Sequence, residues 1–109
     1  MELIVEDTIH NRHTVARGVN GYMERLNYAL SRIGLPELDD KSRIDELSES
    51  GILYGGKNVD RLLIETERRD LSYVLIISGE GRCEQLANEM SEEMRKQLLL
   101  HGANPTLEQ

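Results

Sequence analysis

Arg17, Arg25 and Arg32 recur at spacings of 8 and 7 residues. On a helix those spacings return side chains to one side. Guanidinium groups in such a row recognise phosphates and carboxylates through paired N–H donors. Tyr28 falls on the same side and offers a ring on which a base or a guanidinium can stack. Residues 12–33 hold four arginines against Glu24 alone, +3 within a chain of formal net charge −7, so the remainder stands at −10. Charge is segregated along the chain. One reading is a basic stripe that grips a small anionic ligand or an acidic partner. The other pairs the arginines with the acidic run at 37–49 of the same or a neighbouring subunit. Exposed pairs of that kind contribute about 0–1 kcal/mol each, and so set geometry more than stability.

A second constellation is "ISGEGRC", residues 77–83. It places Ser78, Gly79, Gly81 and Arg82 between an apolar run and a helical pattern. Backbone N–H groups at a helix start attract anions, and glycines allow close approach. Yet Glu80 brings its own carboxylate there. The dinucleotide fingerprint breaks off at Glu84, and the Lys-Ser/Thr pair of a P-loop is absent. The competing reading is a tight turn with Glu80 resting on the helix dipole.

Other candidate groups are weaker. Glu6, Asp7, His10 and His13 could share a metal only if helical, and "EDTIHNRH" reads as a loop that caps the next helix. Glu65 and Glu67 lie two apart on one strand face, as an acid–base pair would. Arg61, Arg68 and Arg69 flank them and favour plain ionised carboxylates, which leaves a small hydrolase as the lowest-ranked function. Cys83 falls on an apolar stripe and reads as a core thiol. No catalytic set, metal site or cofactor is expected.

These groups need a frame. Glu2 to Asp7 reads as a first strand. Thr14 then caps a long helix whose Val15, Val19, Tyr22, Leu26, Ala29 and Ile33 alternate at spacings of 4 and 3. Met23 and Leu30 widen that seam, and Gly34 followed by Pro36 ends it. Gly18 and Gly21 sit inside the helix at roughly 1 kcal/mol each relative to alanine. The seam is the expected contact with another long helix, from this chain or from a second copy. Ser42 and Asp45 look like a capping box that opens a short acidic helix. Three strands follow at about 51–55, 59–67 and 71–78, the middle one also fitting a helix turn through Val59, Leu62 and Leu63 while Ile64 and Thr66 favour the strand, with "YVLIIS" central because it is apolar on both faces. A last helix runs from about Gly81 to His101, with Cys83, Leu86, Ala87, Met90, Met94, Leu98 and His101 inward. The expected fold is α+β, in the order β-α-(α)-β-β-β-α: a small, mainly antiparallel sheet covered by two long helices. Residues 1–103 form one domain and 104–109 a flexible tail. That order lacks a closing strand, so one sheet edge is left for a second copy.

Composition bounds the rest. The 109 residues include no Trp and no Phe, so Leu, Ile, Val and Met must build the core. A lean core makes a homo-oligomer attractive. The acidic balance disfavours general nucleic-acid binding and anionic membranes. One cysteine points to a reducing compartment. No signal peptide or membrane span is recognisable. The cytoplasm of a cell, reached natively or by viral delivery, is the expected location. The expected function is a non-enzymatic, homo-oligomeric interaction or regulatory protein. The alternative is a small-ligand binder that sequesters a phosphorylated or nucleotide-like anion, with the ligand held at a subunit interface in one version.

Overall fold

A computed structural model of the chain describes residues 1–38, 51–54 and 60–108, with 51–54 described as backbone. The elements run β1 (Glu2–Glu6), α1 (Ile9–Arg32), β2 (Gly51–Tyr54), β3 (Leu62–Arg69), β4 (Ser72–Gly79), a 3-10 turn (Gly81–Cys83), α2 (Glu84–Leu100) and β5 (Thr106–Glu108). The fold is α+β, as the sequence predicts. The capping box at Ser42 and Asp45 lies outside the described residues.

The strands form one antiparallel sheet in the order β2-β3-β4-β1-β5. Strand alternation gives the sheet two unlike faces. Leu3, Val5, Leu62, Ile64, Tyr73, Leu75 and Ile77 point into the core, where Val15, Val19, Leu26 and Leu30 of α1 meet Met90, Met94 and Leu98 of α2. Each of these apolar side chains gains roughly 1.5–3 kcal/mol over its exposed state. The opposite face carries Ile4, Leu63, Val74 and Ile76 among Glu2, Glu65, Glu67 and Arg69. Among the described residues it bears no helix. The "YVLIIS" strand is indeed central, between β3 and β1.

Two expectations need correction. The first helix begins at Ile9, not after Thr14, and its cap is Thr8, whose Oγ1 accepts from Asn11 N at 3.0 Å. Thr14 is a buried helical residue that donates its hydroxyl to His10 O at 3.0 Å. The early turns bury Asn11 and Thr14 instead of apolar side chains, and Asn11 donates to Glu6 O at 2.9 Å. Satisfied polar groups of this kind hide a helix from hydrophobic periodicity. The second correction is the tail. Residues 106–108 pair with β1 in the register Leu3↔Leu107, so the closing strand expected to be missing is present. Gly34 (φ +79°) and Gly102 (φ +87°) stop the two helices in the left-handed region, as C′ residues do. After Gly102 the chain turns back along β1, whose N–H and C=O groups gain partners there.

Candidate functional site

The basic stripe of α1 lies beside its seam with α2. Arg17 and Arg25 line a hollow of about 250 Å³ with Gly18, Gly21, Tyr22 and, from α2, Glu93, Met94 and Gln97. An adjoining hollow of about 200 Å³ shares Arg17, Gly18 and Gln97 and reaches Thr14 and His101. Gly18 is explained by packing: an added Cβ would stand 2.5 Å from Met94 Cε. The two helices approach closely there, and a groove runs along the contact.

Electrostatics along the groove are uneven. Arg17 is exposed and makes no ion pair among the described residues. Arg25 is 71% exposed, with Nη1 3.6 Å from Glu93 Oε1 and its guanidinium 5.9 Å from the centre of the Tyr22 ring. Gln97 Nε2 donates to the same Glu93 carboxylate at 3.2 Å. Burial, aided by Glu89 and Glu93, raises the Tyr22 phenol above its ordinary value. It therefore stays protonated at neutral pH. The site thus offers one uncommitted guanidinium, one weakly held guanidinium, an aromatic face and an amide. Such a set can bind an anion; it shows no nucleophile activated by a base.

Arg32 and Arg82 meet further along the seam, in a hollow of about 280 Å³ with Ile33, Gln85 and Glu89. The Arg32 guanidinium lies 5.8 Å from the ring of Tyr28, which is 68% exposed. Arg82 is committed within the fold. Its backbone N donates to Asp60 Oδ1 at 2.9 Å, its Nη2 and Nε donate to Oδ2 at 2.8 and 3.2 Å, and its Nη1 donates to Ile33 O at 3.1 Å. The Arg82 side chain and backbone bonds together hold the Asp60 carboxyl below its ordinary range.

That geometry decides between the two readings of "ISGEGRC". The turn supplies its own anion: Asp60 occupies the place that a phosphate would take at Arg82 N. Gly81 is needed because an added Cβ would lie 2.6 Å from Asp60 Oδ1. Gly79 is needed because its Cβ would run into the Cys83 carbonyl. Ser78 points to the other side of the sheet, in register with Leu63. Ser78, Gly79, Gly81 and Arg82 therefore do not join the groove as an open phosphate cradle. Asp60 has no local sequence signal, since it lies 22 residues from Arg82 in the chain.

The expected interface residues divide. Val15, Val19 and Leu26 are at most 1% exposed, inside the chain's own core, so the helix partner of the seam is α2 of the same chain. Tyr22 and Ala29 are half-buried, and Ile33 is 37% exposed. Cys83 is a buried core thiol whose pKa burial pushes up. Asp7 holds Arg12 and Arg68, and His10 Nε2 meets His101 O at 3.0 Å, so both tie elements together. Glu67 pairs with Arg69 on the sheet face opposite the two helices, beside Glu65. Glu93, Met94 and Gln97, the α2 wall of the groove, were not among the sequence candidates. Their only signal was membership of an amphipathic helix.

No protein-family model, curated protein or solved structure matches the chain. The class that fold and groove define is a small α+β protein with a basic groove between its helices. Among the described residues no helix is long and apolar enough to cross a membrane.

Proposed function

We propose that the protein acts by binding, and that its ligand is an anion held in the α1–α2 groove. The observation that carries this reading is Arg17: an exposed guanidinium without an ion pair among the described residues, at the junction of two hollows, with Arg25 in the same wall. Glu93 competes for Arg25, but the pair is long and solvent-screened, so a phosphate or carboxylate can displace it.

Opposite effects from two substitutions test the proposal. Calorimetric titration with nucleoside phosphates, inorganic pyrophosphate and an oligoglutamate peptide at low salt finds which anion binds. Arg25→Glu should weaken that anion about tenfold or more, the value of a lost charge-assisted hydrogen bond. Glu93→Gln should tighten it about two- to fivefold, by releasing Arg25. No anion bound by the wild-type chain, or Glu93→Gln weakening the complex, would remove the reading.

A second reading, a homo-oligomeric interaction protein, draws support from a different observation. Half-buried Ile4 and Ile76 lie beside the buried Val74 on adjacent strands of the face that bears no helix among the described residues, and the sheet ends in β2 and β5. A two-layer fold buries such a face when a second copy covers it. Light scattering after size exclusion should then give a multimer that Ile76→Lys turns into monomer. A wild-type monomer across the micromolar range would exclude it.

A further inference from the structure

Gly21 is the one feature of the groove that the fold does not account for. It lies in the interior of α1, where glycine is unfavourable relative to alanine. Its φ is not in the left-handed region. Gly18 makes way for Met94, but a Cβ added at Gly21 meets no described atom within 4 Å. Gly21 itself lines the hollow with Arg17, Tyr22 and Arg25, and a Cβ there would stand in open space. The position keeps bare helix backbone available for something that must come close to it.

We infer that the ligand is a nucleotide, its base lying flat on the backbone at Gly21 and its phosphate on Arg17. This rests on the reading of the groove as an anion site and goes on to name the class of anion. The surroundings of Gly21 suit a planar ring. Tyr22 presents an aromatic face with the Arg25 guanidinium 5.9 Å from its centre, and both planes stack on bases. The Gln97 amide, in both hollows, has a donor and an acceptor for a base edge. Arg17 stands where the hollows join, so a ring in the larger one leaves its phosphate within reach of that guanidinium. Hollows of about 250 and 200 Å³ are each small for a ligand site, and joined they reach the usual range of roughly 300–1,000 Å³. An acidic peptide would use the arginines but has no need of the bare backbone.

The test compares AMP and ADP with ring-free phosphates, pyrophosphate and ribose 5-phosphate, on the full chain. The nucleotides should bind about tenfold tighter, the order of one base–aromatic stack. Gly21→Ala should raise the melting temperature of the free protein while weakening nucleotides about tenfold and leaving pyrophosphate unchanged. Tyr22→Leu gives a second route: it should weaken nucleotide about fivefold more than it weakens pyrophosphate. Ring-free phosphates binding as tightly as nucleotides, or a Gly21→Ala chain that binds nucleotide like the wild type, would overturn the inference while the anion groove stands. Binding of oligoglutamate in preference to nucleotides does the same. If no anion binds at all, the groove reading falls and this inference falls with it.

Discussion

Gly79→Ala should destabilise the protein by about 3 kcal/mol, the upper end of what overpacking a rigid site costs. The reason is space, not backbone conformation, since Gly79 does not have a positive φ. β4 ends directly beneath the turn that opens α2. An added Cβ would sit on the Cys83 carbonyl, 2.7 Å from its carbon and 2.9 Å from Ala87 Cβ. Backbone atoms cannot rotate aside as a side chain can, so the helix start must lift from the strand. That lift would loosen Leu86, Ala87 and Met90, all of them in the core. In a domain of this size the loss corresponds to a fall in melting temperature of roughly 10–20 °C. Thermal and urea denaturation of Gly79→Ala beside Gly21→Ala is the measurement. The two glycines should move in opposite directions, because one is enclosed by backbone and the other faces open space. A Gly79→Ala chain that melts with the wild type would mean that β4 and α2 are not in the contact described.

The contrast between those glycines shows what could be read from residue order and what could not. Periodicity located the inward residues of α2 because Leu86, Met90, Met94 and Leu98 are apolar at helical spacing, and all four are buried. His101, inward by the same spacing, is exposed at the helix end. The arginine spacing located one wall of the groove. Its other wall depends on how two helices rotate about their axes, which is settled by the small volume of Gly18 against Met94. Contacts distant in sequence left no trace in composition. Asp60 answers Arg82 across 22 residues, and Asp7 answers Arg68 across 61. β5 is silent for another reason. Its three residues are all exposed, so no alternation marks them, and only the open edge of β1 draws them into the sheet. The start of α1 was masked by polar residues whose hydrogen bonds are met locally.

Asp7→Asn is the second large effect expected, about 2 kcal/mol at neutral pH, the usual cost of removing one member of a charge-assisted set away from solvent. Asp7 follows β1 and precedes α1. Its side chain is 11% exposed and accepts from Arg12 Nε at 2.6 Å and from Arg68 Nε at 3.2 Å, while its backbone N donates to Leu71 O at 2.8 Å. The carboxylate therefore ties the first helix to β3, and the backbone of the same residue holds the β3–β4 turn. The Arg12 hydrogen bond, then that of Arg68, holds the Asp7 carboxyl below its ordinary value against the opposing effect of burial. The sign follows from that direction. A carboxyl lowered in the folded state stabilises fully above its unfolded value, near pH 4, and loses that contribution as pH falls through the folded value. The gap between wild type and Asp7→Asn should thus be constant from pH 5 to 8, within the range in which the carboxylate is ionised. Below about pH 4 the gap should begin to narrow, and it should close once pH has fallen below the folded value, where both chains carry a neutral group at position 7. Urea denaturation across that range measures it, and a double-mutant cycle with Arg12→Gln separates the pair from its surroundings. A gap that persists undiminished at pH 2 would assign the loss to shape rather than charge, and the carboxylate would no longer be the tie between β1, α1 and β3.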